Sequence, residues 1–145
     1  MPGPSGTLEV LVVEDNPGDV KLIREGLKRC SIKLPLNIQI AEDGERALNL
    51  LIRENYKPDM ILIDLNLPKI DGQTVIQRVR AEGVNLVSTP IVVFSSKQHG
   101  IQEVLDIGAT AYIVKPSGLT DYLKAIERVA ILWLRPLSKS ADSRD

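Results

Sequence analysis

The chain has one cysteine, Cys30, and one histidine, His99, and no apolar run near the ~20 residues that span a bilayer. A lone cysteine excludes an intrachain disulfide and fits a reducing compartment, so a cytoplasmic location is expected. A lone histidine excludes a histidine-rich metal cluster, and no nucleophile elbow accompanies it. His99 is expected exposed near the start of a helix, and Cys30 is expected to be incidental at a helix end. Basic excess is also missing: 18 Lys and Arg stand against 19 Asp and Glu, a net charge of −1. That balance speaks against nucleic-acid and membrane-surface partners. The first residues show no basic start followed by an apolar core, so no secretory signal is read there. No glycine-rich phosphate loop follows the first apolar run. The segment EDNPGD over 14–19 is acidic and would repel a dinucleotide phosphate.

What is present is an alternation. The chain has 145 residues, of which 43% are apolar, enough for one domain with its own core. Short apolar runs at Leu8–Val13, Leu36–Ala41, Met60–Ile63, Ile91–Phe94 and Ala111–Val114 read as strands. Between them, apolar residues recur at helical spacing. Val20, Ile23 and Leu27 follow Asn16, a candidate N-cap, and Pro17, placed for the first turn. Ala47, Leu48, Leu51 and Ile52 mark a second helix, and Val75, Ile76 and Val79 a third after Gly72. Ile101, Val104, Leu105 and Ile107 mark a fourth, stopped by Gly108. The fifth runs from Leu119 to about Leu134. Strands alternating with helices imply a parallel sheet covered on both faces, an α/β fold. Residues 1–7 read as a disordered N-terminus, 8–135 as the folded domain, and 136–145 as a polar tail.

The ends of the strands carry the chemistry. Asp64 follows the run MILI and opens a Pro/Gly loop, LNLPKIDG over 65–72. Open α/β sheets bind their ligands at the carboxyl ends of strands. Glu14 and Asp15 end the first strand. Three carboxylates at one sheet edge repel one another and suit a hard cation such as Mg²⁺. Lys115 follows the fifth strand and precedes Pro116, whose peptide bond is a cis candidate that would aim the lysine at the carboxylates. Ser95 and Ser96 follow the fourth strand, where a hydroxyl can donate to a group on Asp64. Each has a plainer reading as a turn residue, a helix-start acid or a solvated charge. Together, carboxylates, a metal and a fixed cation describe phosphoryl transfer.

In this order, Glu14-Asp15, Asp64, Ser95 after PIVVF, and Lys115-Pro116 after GATAYIV resemble the receiver domain of two-component response regulators, over about 8–134. The segment VEDNPGD over 13–19 and the ending ILWL over 131–134 resemble small stand-alone receivers that serve phytochrome-type sensor kinases. The resemblance implies a CheY-like, flavodoxin-like (βα)5 doubly wound sheet with strand order 2-1-3-4-5. It implies that Asp64 takes a phosphoryl group from a sensor histidine kinase. Glu14, Asp15, Asp64 and the Asn66 carbonyl would hold Mg²⁺. Lys115 and Ser95 would engage the phosphoryl oxygens, with Ser95 and Tyr112 as switch residues. Ser96 stands where a smaller residue is common, and Asn66 and Lys97 flank the site. The chain would act as a phosphoacceptor, not a turnover enzyme, and would signal by protein contacts or relay the group onward, no output domain being visible.

Two other readings compete. A Mg²⁺-dependent phosphohydrolase of the haloacid-dehalogenase kind also uses a strand-end Asp, but on the first strand and in Asp-x-Asp, where this chain has Asn66. An unphosphorylated binding module would not need the intact acidic set. The fifth helix adds an assembly expectation. Leu119, Tyr122, Leu123, Ile126, Val129, Ala130 and Trp133 form one stripe that should face the sheet. Ile131 and Leu132 fall outside it, with Leu134 and Leu137 extending the same apolar region. Ile131, Leu132 and Leu134 are therefore expected at a symmetric homodimer contact.

Overall fold

In the computed structural model, residues 6–30, 32 and 34–137 are described. Most of the expected N-terminal segment and C-terminal tail, 1–5 and 138–145, lies outside them. The strands are β1 (Leu8–Val13), β2 (Leu36–Ala41), β3 (Met60–Ile63), β4 (Ile91–Ser95) and β5 (Ala111–Val114). They form one parallel sheet in the order β2-β1-β3-β4-β5. The helices are α1 (Pro17–Lys28), α2 (Gly44–Leu48), α3 (Gly72–Glu82), α4 (Ile101–Asp106) and α5 (Leu119–Val129). Asn16 caps α1 as expected, its side chain accepting from the Asp19 N–H, with Pro17 in the first turn. Asp43 and Asp71 cap α2 and α3 in the same way.

Alternation along the strands splits the core in two. Leu11, Val13, Ile61, Ile63, Ile91 and Val93 face α2, α3 and α4. Val10, Val12, Met60, Leu62, Val92 and Phe94 face α1 and α5. Burying such a side chain contributes about 1.5–3 kcal/mol, so continuous apolar strands are stable only with both faces covered. At the edge, β5 has one neighbour and every residue in it is only half-buried. Gly26 lets α1 and α5 approach closely, since a Cβ there would lie 2.7 Å from Ile126.

Two helices widen. After α2 the chain continues as a π-helical turn, Asn49–Arg53, in which the Glu54 N–H reaches back to the Asn49 carbonyl at 2.9 Å. After α5 it continues as a second π-helical turn, Ala130–Leu134. The expected α5 stripe therefore holds with one correction at its start: Leu119 is 60% exposed. Gly118 before it provides no side-chain cap, and Leu119 opens the helix beyond the reach of the sheet.

Leu134 requires a second correction. It is fully buried with Ala130 and Ile126 in the α1/α5 core and is not an exposed contact residue. The reason is spacing: residues four apart share a helix face, and Ala130 faces inward. Ile131 and Leu132 are exposed, at 40% and 55%. Leu137 packs against the same core as Leu134.

Candidate functional site

Register brings the strand ends together. Val13 pairs with Ile63, so Glu14 and Asp64 are the next residues of two adjacent parallel strands. The order of strands reverses between β1 and β3, the switch point where such sheets leave a crevice. The Asp64 N–H donates to the Val13 carbonyl at 3.0 Å and the Glu14 N–H to the Ala41 carbonyl at 3.0 Å, which locks both residues to the sheet. Gly72 lets the following loop fold tightly, because a Cβ there would lie 2.5 Å from the Asp64 carbonyl oxygen. Asp64 and Glu14 are buried, whereas Asp15 is exposed. One carboxylate oxygen from each of Glu14, Asp15 and Asp64 lies within 4.8 Å of the others. Three hard oxygen donors at that spacing fit a hard divalent cation. The Asn66 N–H donates to Asp64 Oδ1 at 3.3 Å, so the loop turns back over the end of β3.

Lys115 reaches this cluster from β5. Its N–H donates to the Ser95 carbonyl at 2.8 Å. Its Nζ lies 2.7 Å from Glu14 Oε1, 3.0 Å from Asp64 Oδ2 and 3.3 Å from Asp19 Oδ2. No peptide bond among the described residues is cis. The Lys115–Pro116 bond, whose isomer the sequence leaves open, is thus trans. The ladder to β4 and the length of the lysine side chain are sufficient to aim the ammonium.

Two opposing effects set the charges. Burial pushes the Glu14 carboxyl up to about 7, against hydrogen bonds from Lys115 and the Asn16 N–H that favour its ionised form. Burial also disfavours the Lys115 ammonium, but hydrogen bonds to Glu14 and Asp64 outweigh it and push its pKa up. The lysine, with its several carboxylate partners, is the firmly charged member. Glu14 is the group whose protonation changes near neutrality.

Ser95 is buried at the end of β4, and its Oγ accepts from the Lys97 N–H at 3.3 Å. Ser96 is exposed beside it. Tyr112 is half-buried against the α2–α4 side of the core, and its hydroxyl donates to the Lys97 carbonyl at 2.5 Å. Burial pushes its pKa up, so it is a donor. A cleft of about 350 Å³ opens between the β3 and β4 loops, lined by Asn66, Ser95, Ser96 and Lys97 among others. His99 is exposed, and Cys30 donates weakly to the Glu127 carbonyl at 3.5 Å.

Sequence reasoning missed two residues here. Asp19 contacts Lys115, and Tyr122 donates to Asp19 Oδ1 at 2.6 Å. Asp19 looks in sequence like any acid in a helix first turn, where negative charge is favourable anyway. Tyr122 looks like one member of a core stripe, and its ring does pack edge-on against Phe94, centroids 5.0 Å apart.

Comparison with known proteins agrees with this geometry. Residues 10–127 match the response regulator receiver domain family. Response regulator Rcp1 of Synechocystis sp. is 30% identical over 140 residues, covering 91% of this chain and 92% of that protein. The phosphorylated cyanobacterial phytochrome response regulator RcpA superposes with a TM-score of 0.80 at 30% identity, over 88% of this chain and 94% of that one. The receiver domain of a Pseudomonas aeruginosa sensor histidine kinase, solved with magnesium coordinated in its active-site cleft, has a TM-score of 0.67. It is 27% identical and covers 84% of this chain and 96% of that one. The mycobacterial MprA response regulators also match, but this chain spans only 47–49% of their length.

Proposed function

The chain belongs to the response regulator receiver family, and we propose that Asp64 is its phosphoacceptor, served by Mg²⁺ and Lys115. The receiver is a phosphoacceptor module of two-component signalling. The observation that carries the assignment is the bridge from Lys115 Nζ to Asp64 and Glu14, 3.0 and 2.7 Å, at the ends of adjacent parallel strands.

In this reading an Asp64 carboxylate oxygen attacks the phosphorus of a phosphohistidine. The new P–O bond forms as the P–N bond breaks, and the imidazole keeps the electron pair. Little covalent help is needed, so positioning and charge neutralisation do the catalysis. Glu14, Asp15, Asp64 and the Asn66 carbonyl would hold Mg²⁺, which supplies positive charge to the transferring oxygens. Lys115 engages the same oxygens. Ser95 and Tyr112, already joined through the loop at Lys97, are the switch pair that responds to the new anion. Later hydrolysis returns inorganic phosphate and the free carboxylate, so the protein acts as a switch and not as an enzyme on a diffusing substrate.

The partner we infer is a sensor histidine kinase of the phytochrome type, supported by the similarity to Rcp1 and RcpA. A cytoplasmic location goes with such a partner. Among the described residues no helix is long and apolar enough to cross a membrane. Exposed Ile131 and Leu132, side by side near the end of the last helix, support a symmetric homodimer.

The test is incubation of the protein with Mg²⁺ and a small phosphodonor, followed by intact mass. One acid-labile phosphoryl group should be gained, and Asp64→Asn should gain none. Labelling of that variant at the wild-type rate would overturn the assignment.

A further inference from the structure

Among the described residues Lys115 is the cation paired with the buried carboxylates of the site, and its ammonium has three N–H donors and no acceptor. Three carboxylates already stand around it: Glu14 at 2.7 Å, Asp64 at 3.0 Å and Asp19 at 3.3 Å. Two of the three N–H groups donate to Glu14 and Asp64, and Asp19 stands beside them as an ionic contact. A phosphoryl oxygen on Asp64 has to compete with that third carboxylate for the ammonium.

The three contacts differ in how easily they are lost. The Glu14 and Asp64 side chains are 2% and 10% exposed, so releasing either leaves a carboxylate with little water to replace the lysine. The Asp19 side chain is 23% exposed and its contact is the longest. Asp19 also has a second partner. Tyr122, in the first turns of α5, donates its hydroxyl to Asp19 Oδ1 at 2.6 Å. Its ring is fixed edge-on against Phe94 at the end of β4. The same Phe94 ring lies 5.9 Å below the Lys115 ammonium. Close approach of α1 and α5 at Gly26 keeps Asp19 and Tyr122 on facing surfaces.

We propose that Asp19 is a positioning residue that holds Lys115 in reserve in the unmodified protein, and that Tyr122 acts on it by drawing Asp19 away from the lysine. The inference rests on Asp64 being the acceptor. When the phosphoryl group arrives, Lys115 exchanges Asp19 for a phosphoryl oxygen, and Asp19 remains held by Tyr122. The contact between α1 and α5 thereby senses whether the site is modified. The exchange replaces one ionic contact by another and makes or breaks no covalent bond.

The idea gives opposite signs for two small changes. Asp19→Asn removes the competing charge but keeps an amide for the Tyr122 hydroxyl, and the α1 cap uses only the residue 19 backbone N–H. Tyr122→Phe removes the group that draws Asp19 off the lysine. The full chain, with Mg²⁺ and acetyl phosphate below saturation, is followed by intact mass. Asp19→Asn should raise the initial labelling rate about twofold to fivefold, the size of one partly exposed ionic contact. Tyr122→Phe should lower it about twofold on the same scale. The double variant should match Asp19→Asn, because Tyr122 acts only through Asp19. A purely structural role would lower the rate in all three variants. Asp19→Asn labelling at or below the wild-type rate overturns the proposal, as does a slowing by Tyr122→Phe that persists in the Asp19→Asn background. Wild-type protein that takes no phosphoryl group, or Asp64→Asn that takes one, overturns the acceptor assignment and this inference with it.

Discussion

Lys115 Nζ lies 2.7 Å from Glu14 Oε1, although the two residues are 101 positions apart in sequence. The pair joins the last strand of the sheet to the first. It changes the electrostatics expected of the acidic cluster, because the mutual repulsion of Glu14 and Asp64 is offset by a shared ammonium.

Removing that ammonium should be costly. Lys115→Met leaves Glu14 and Asp64 buried without their cation. Breaking a buried pair in this way costs about 3–5 kcal/mol. Thermal melts in chelator should show the loss, and added Mg²⁺ should restore part of it by mass action. An unchanged melting temperature in chelator would refute the bridge.

Asp15 should behave differently from its neighbour. It is exposed and Lys115 does not touch it. Asp15→Ala should change metal-free stability by no more than about 0.5 kcal/mol, as exposed substitutions do. The same variant should lose Mg²⁺ binding in a titration, since one of the three clustered carboxylates is gone. Wild-type Mg²⁺ affinity in Asp15→Ala would remove it from the metal site.

The raised Glu14 carboxyl gives a pH dependence with a definite sign. Its pKa moves from 4.5 to about 7 on folding, so the folded state holds a proton that the unfolded state has released. Its contribution is therefore fully present below pH 4.5 and fades as pH rises through about 7. Metal-free protein should lose stability across that window. Mg²⁺ needs the ionised carboxylate, so its affinity should rise from pH 6 to 8 and its binding should release a proton. Calorimetry in two buffers of different ionisation enthalpy reads the proton directly. Binding with no proton release at pH 6 would contradict a raised Glu14.

The last helix separates surface from core within four residues. Ile131→Glu with Leu132→Glu should leave a folded monomer, because both side chains are exposed. Leu134→Ala should instead cost about 2–5 kcal/mol, as deletions in a packed core do. Light scattering at tens of micromolar reads the first and denaturant unfolding the second. A wild-type protein that is monomeric with and without a phosphoryl mimic would end the dimer reading.

Much of this was legible in the linear chain because local rules act locally. Continuous apolar runs at 60–63 and 91–94 announce strands buried on both faces, whatever packs on them. Asn16 before Pro17 announces a helix start. A carboxylate at the end of such a strand announces a site, so Glu14, Asp15 and Asp64 could be read before any fold existed. What the chain alone could not decide were matters of distance between elements. Asp19 and Tyr122 follow the local rules of a helix start and a core stripe, and their meeting depends on how closely Gly26 lets α1 approach α5. Leu134 and Leu132 are equally apolar, and only the phase of the last turn buries one and exposes the other. Periodicity fixes which residues share a face, but the neighbour that covers the face, and the charge that waits on it, come from the packed structure.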